Sequence, residues 1–272
     1  MIDTPETFTL PFAAGSFANR QVVITGARRG IGAAVARAFL SLGANVLAHA
    51  GVAPVSAEDP LISGLGEEQR SRLQVFSANL ESETQTAQLA AEIAAATPRI
   101  DVFIHNAGTM HGRVMTDAMT PQHYRRVSDL NAASTVILMH GLLPVLARKS
   151  ENASGASVIF TSSISARTGG SPGSSVYSAA KAFVSTYARS LARELAPDGI
   201  RVNVVSPGTI MTDFHRRYSN EEKLRATANS IPLQRLGTPD DCTGSYLFLA
   251  CASLSGYITG QTIEINGGQL LA

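Results

Sequence analysis

Two kinds of segment alternate along the chain. Short apolar runs rich in β-branched residues recur at 21–25 (QVVIT), 45–50 (NVLAHA), 73–78, 101–104 (DVFI), 157–161 (SVIFT), 201–205 and 262–266. Each has the length and composition of a strand buried inside a parallel sheet. Between them lie stretches of helical spacing. After the first run the apolar positions Ile31, Val35, Ala38, Phe39 and Leu42 share one helix face, and Gly43 closes it. A short helix is predicted over 67–72, an alanine-rich one over 82–95 with Leu89 and Ile93 inward, and a long one from Pro121 to about Leu146, bent or ended near Pro144. A firm stripe of Phe183, Val184, Tyr187, Leu191 and Leu195 predicts another helix, and 240–250 predicts the last. Strand and helix in strict alternation predict a single α/β domain.

Three regions break the pattern. Residues 1–20, with Pro5, Pro11 and Gly15, read as an N-terminal extension laid over the domain or disordered. Residues 52–72 are irregular, interrupted by Pro54, Pro60, Gly64 and Gly66. The polar segment DFHRRYSNEEKLRATANSI is helical and basic at its start, and the cluster His215, Arg216 and Arg217 is read as a solvated helix face, with the greeting of an acidic substrate as the alternative.

Composition narrows the function classes. The chain has 272 residues, 44% hydrophobic and 16% charged, with a formal net charge of +1, so nothing favours a nucleic-acid partner. Its start is acidic where an export signal is basic, and the most apolar later run is cut by His140 and Pro144, so neither export nor membrane spanning is expected. Cys242 and Cys251 have no companions at metal-ligand spacing, so no metal is expected, and a reducing, cytoplasmic setting fits two lone thiols.

The chemistry concentrates at the ends of the strands. Gly26, Gly30 and Gly32, in GARRGIG, stand between a strand and a helix, where the backbone can approach a pyrophosphate and the helix N-terminus can hold it. The fourth run leads into His105 and the small residues Asn106, Ala107 and Gly108, suited to close approach of a cofactor; His105 itself reads as a packed, hydrogen-bonded residue. Asn131 is a polar residue inside an apolar helix, a position that propensity disfavours. Tyr177 and Lys181 are one helical turn apart, so an ammonium lies beside a phenol whose ionised form it favours.

Together TGARRGIG, HNAG, Asn131, Ser163, YSAAK, VNVVSPG with Thr212, RLGTPDD and TIEINGG resemble, in order and separation, the short-chain dehydrogenase/reductase family over about 21–268. The resemblance implies a doubly wound Rossmann-type domain with a seven-stranded parallel sheet and helices on both faces, spanning 21–272, with a substrate lid at about 209–236. It implies Tyr177 as general acid or base, Lys181 lowering its pKa and holding the nicotinamide ribose, Ser163 bonding the substrate oxygen, and Asn131 holding a water that links Lys181 to solvent. Ser162, by strand alternation, is expected to point away from Ser163. It places Gly26, Arg28, Arg29, Gly30, Ile31, Gly32, His49, Ala50, Gly51, Asn79, Leu80, Asn106, Ala107, Gly108, Pro207, Gly208, Ile210 and Thr212 around the cofactor, with Asn203 supporting the backbone.

The second strand ends in His49, Ala50 and Gly51 without the carboxylate that binds the NAD ribose, and Arg28 and Arg29 stand nearby, so NADP(H) is expected over NAD(H). Asn79 replaces the family's usual adenine-contacting aspartate. Met110, His111, Ser165, Arg167 and Phe214 are expected as pocket neighbours, and none identifies a ligand. The expected activity is reduction of a small-molecule ketone or oxidation of the matching secondary alcohol. The alternatives are an NAD-dependent alcohol dehydrogenase and a non-catalytic nucleotide-binding scaffold. The resemblance further implies a homo-oligomer, tetramer or dimer, assembled through the helices after the fourth and fifth strands.

Overall fold

The computed structural model describes residues 12–150, 154–213, 218 and 220–271. Seven strands form one sheet in the order β3-β2-β1-β4-β5-β6-β7, every neighbouring pair parallel. They are β1 (Gln21–Thr25), β2 (Asn45–His49), β3 (Leu73–Phe76), β4 (Val102–His105), β5 (Ser157–Thr161), β6 (Arg201–Pro207) and β7 (Thr262–Ile265). All seven expected strands are present. Their ends shift by one or two residues: β2 and β3 stop short of Ala50 and Ala78, and β4 takes in His105.

Alternation along the strands sorts the core onto two faces. Val23, Leu47, Phe103, Val158, Phe160 and Val204 pack against Leu89 and Ile93 of α3 (Glu83–Ala96), Leu138 of α5 (Ser134–Leu142) and Val184 of α7 (Ser175–Leu195). On the other face Val22, Ile24, Ala48, Ile104, Ile159 and Val205 meet Val35 and Phe39 of α1 (Gly30–Ser41) and Tyr246 and Leu247 of α9 (Pro239–Ala250). The described end of the N-terminal extension joins this second face. Phe17 is buried with its ring edge-on to Phe39 at 4.9 Å. Residues 1–11 of that extension lie outside the described residues.

The helix expected over 121–146 is interrupted. It runs as α4 (Pro121–Ser128), a wide π-type turn over Asp129–Ala133, then α5, and closes in a 3-10 turn at Leu143–Val145 around Pro144. Residues 52–66 form turns, leaving the short α2 (Glu67–Ser71). After β6 the helix α8 (Glu221–Ser230) precedes α9, while α6 (Ser165–Thr168) and α10 (Ala252–Ser255) are single turns. Strand order reverses between β1 and β4, and such a switch point opens a crevice at the carboxyl ends of the strands.

Candidate active site

A cavity of about 740 Å³ occupies that crevice. One end is lined by Gly26, Arg28, Arg29, Gly30 and Ile31 with His49, Ala50 and Gly51; the middle by Asn106–Gly108, Ser163, Tyr177, Lys181, Pro207, Gly208, Ile210 and Thr212. Gly32, Asn79, Leu80 and Asn131, also expected at the site, do not line it.

Steric demand explains the glycines. A Cβ on Gly32 would sit 2.2 Å from the Gly26 carbonyl oxygen, and one on Gly26 (φ +67°) 2.8 Å from Ala107 Cα. The loop is thereby drawn against β4. Arg29, the residue preceding α1, gives no side-chain cap, and the first turn of α1 carries no acidic residue. The helix thus presents uncapped N–H groups and its positive end to the cleft, which fits a dinucleotide pyrophosphate.

Two buried histidines hold the floor of the cleft. His49 Nδ1 accepts a long bond from Gly26 N–H at 3.4 Å, and its Nε2–H donates to the Ala78 carbonyl at 3.1 Å. Burial lowers its pKa and keeps it neutral. Thr25 Oγ1 accepts from the N–H groups of Asn106 and Ala107, each at 3.1 Å, and so donates its proton to His105 Nδ1 at 2.8 Å. His105 Nε2 faces Ser134 Oγ at 3.3 Å, and burial together with the Lys181 charge brings its pKa down to about 3. His105 is the packed structural residue that the sequence suggested. Asn106 clamps the loop by donating to the carbonyls of Thr25 (3.3 Å) and Gly26 (3.2 Å).

On the opposite wall α7 presents Tyr177 and Lys181 from successive turns, with the Lys181 ammonium 5.8 Å from the Tyr177 ring centre. Lys181 Nζ donates to the Thr161 carbonyl at 3.0 Å, and burial pushes its pKa down to about 8. Burial pushes the Tyr177 phenol up to about 12, against a hydrogen bond with Ser163 that lowers it. Ser163 Oγ also accepts from Ser165 N–H at 3.1 Å. Ser162 turns the other way, donating to the Lys181 carbonyl at 2.9 Å and meeting Ser185 at 2.8 Å, as alternation predicts.

Asn131 sits in the π-type turn, a feature that widens the helix and frequently marks functional positions. Its Nδ2 donates to the carbonyls of Thr109 and Val127, both at 2.8 Å, while its Oδ1 is buried with no partner among the described residues. A Cβ on Gly108 would lie 2.5 Å from that Oδ1 and 2.7 Å from Lys181 Nζ. The bare face of Gly108 therefore lets the carboxamide oxygen and the ammonium converge.

A family model described as enoyl-(acyl carrier protein) reductase matches residues 26–269. The chain belongs to the short-chain dehydrogenase/reductase family. It is 31% identical over 255 residues to the rhamnolipids biosynthesis 3-oxoacyl-[acyl-carrier-protein] reductase of Pseudomonas aeruginosa, covering 93% of this chain and 97% of that one. Among solved structures, the NADH-dependent reductase A1-R′ complexed with NAD is 33% identical with a TM-score of 0.79, covering 94% of this chain and 98% of that chain. The Pseudomonas aeruginosa RhlG/NADP active-site complex is 27% identical with a TM-score of 0.82, covering 96% of this chain and all of that one. This short-chain dehydrogenase/reductase is accordingly an NAD(P)-dependent oxidoreductase.

The remaining site residues divide. Asn79 bonds its own loop, accepting from Glu81 N–H at 3.0 Å, and Leu80 is packed into the core. Asn203 ties β6 to the last loop through Ile258 O (2.9 Å) and Gln261 N–H (3.0 Å). In RLGTPDD, Arg235 clamps Asp241 at 2.7 Å and Thr238 caps α9 in a reciprocal box. Phe214 and the cluster His215–Arg217 lie outside the described residues. Sequence reasoning missed two carboxylates beside the glycine loop. Asp59 grips Arg28 at 2.8 and 3.0 Å, and Asp213 meets Arg29 at 2.9 Å. It also missed Thr25, Thr109, Arg113 and Tyr218. Of these only Thr25 carried a signal, as the hydroxyl directly before Gly26.

Proposed function

We propose that this protein reduces a ketone to a secondary alcohol with NADPH, Tyr177 acting as general acid. The supporting observation is the convergence of the Tyr177 phenol, its Ser163 partner and the buried Lys181 ammonium on one wall of the cleft. A bound reduced nicotinamide would supply the hydride. Ser163 orients the carbonyl by a hydrogen bond that strengthens as charge gathers on its oxygen. Tyr177 passes its proton to that oxygen, leaving a phenolate that the Lys181 ammonium stabilises. Asn131 Oδ1, poised with Lys181 across Gly108, accepts from a water through which the proton is replaced. The segment of about 209–236 covers the substrate.

The choice of NADPH rests on Ala50 and Gly51, which put no carboxylate at the end of β2, and on Arg29, whose partner Asp213 is half-exposed and exchangeable for a phosphate. Arg28 is held by Asp59 and by the Ala53 carbonyl at 3.0 Å, a pairing that favours NADH as the second reading. The test is Tyr177→Phe. Turnover of a ketone panel should fall by at least about a thousandfold while nucleotide binding stays within about twofold. Retained turnover in the variant would remove Tyr177 from the chemistry.

A further inference from the structure

Among the described residues, the arginines around the cleft are matched with carboxylates with one exception. Arg28 has Asp59, Arg29 has Asp213, Arg126 has Glu81, and Arg167 approaches Glu264 at 3.6 Å. Arg113 lines the cavity yet bonds only neutral carbonyls, Tyr218 O through Nε and Pro172 O through Nη1, both at 3.3 Å, and has no carboxylate partner among the described residues. Its Nη2 donors remain for another acceptor. The side chain is firmly placed. Val114 N–H bonds Gly173 O at 3.0 Å, and Gly173 (φ +79°) leaves bare the ground over which the Arg113 stem passes, since a Cβ there would come to 3.0 Å.

We propose that Arg113 binds an anionic group carried by the ketone substrate, a carboxylate or a phosphate, between the loops 106–114 and 169–174. The proposal rests on the reductase reading above. It differs from the basic cluster of residues 215–217 noticed in the sequence, because Arg113 belongs to the cavity wall.

Matched pairs of probes test it: a homologous series of straight-chain methyl-ketone carboxylates against their methyl esters, and dihydroxyacetone phosphate against dihydroxyacetone. Each is assayed for turnover with NADPH and for binding to the NADPH-loaded protein by cofactor fluorescence. One anion class should be favoured over its neutral counterpart by at least about tenfold in kcat/KM, the size of one charge-assisted hydrogen bond, and the favoured class names the group. In Arg113→Gln the preference should collapse toward unity, and Arg113→Lys should restore part of it. Neutral ketones reduced as well as the anions, or a preference that survives Arg113→Gln, would overturn the anion site and leave the reductase standing. Anion binding that is lost in Arg113→Gln without turnover of any probe would uphold the site and sink the reductase reading.

Discussion

Lys181 is 3% exposed and carries its charge into the core, so its burial sets both the chemistry and a stability cost. Its pKa falls from the usual 10.5 to about 8, and the native state therefore holds the proton less tightly than the unfolded chain. At pH 7 both states are protonated and the native one bears the whole penalty. As pH rises from about 8 to 10.5 the native amine is already neutral while the unfolded one still binds a proton, so stability gains with pH in that window. The shift corresponds to roughly 3 kcal/mol, less about 1 for the bond that the ammonium gives Thr161 O. Lys181→Met should thus raise stability by about 2 kcal/mol at pH 7 and less at pH 10, measured by denaturant unfolding. An equal or lower stability at pH 7 would mean that the ammonium is solvated in the fold.

At the scale of elements the glycine loop and α1 show what a sequence can and cannot convey. Glycine at 26, 30 and 32 is written plainly, because the first two have positive φ and a Cβ on the third would strike the Gly26 carbonyl. The tyrosine and lysine of α7 were legible too, as one turn of helix fixes their relation. What Arg28 and Arg29 face was not legible. Their partners lie 31 and 184 residues away, in an irregular segment and after β6, where no period marks a contact. The π-type turn at Asn131 was likewise invisible, since one inserted residue leaves the apolar pattern intact; only the misplaced amide signalled it. The cofactor preference turns on Arg29. Arg29→Ala should weaken NADPH by roughly ten- to a hundredfold and NADH by no more than about twofold in parallel fluorescence titrations. Equal losses would mean that the arginine supports the loop and reads no phosphate.

Over the whole molecule, the parallel sheet was legible from strand–helix alternation because parallel strands need a crossover and the crossovers are written as helical stripes, whereas the order of the strands was not. The outer surface is less legible, since exposure depends on what covers it. Along α7 the exposed positions Ala179, Phe183, Thr186 and Ser190 follow one another at spacings of four, three and four residues and are uncharged, with the exposed Arg189 beside them donating to Thr186 Oγ1 at 2.9 Å. Phe183 stacks on Tyr187 at 5.7 Å and is 43% exposed, and Val136 of α5 is 37% exposed. Small neutral side chains around an aromatic allow a second helix to approach closely, and the family resemblance expects assembly through these same helices. We therefore expect a homo-oligomer joined through α5 and α7. Phe183→Glu would bury a charge at such a joint, which is opposed by several kcal/mol unless the joint opens. Light scattering should find the wild type as a dimer or tetramer and Phe183→Glu as a smaller species with an unchanged circular dichroism spectrum. A monomeric wild type, or a variant that assembles as before, would place the contact elsewhere.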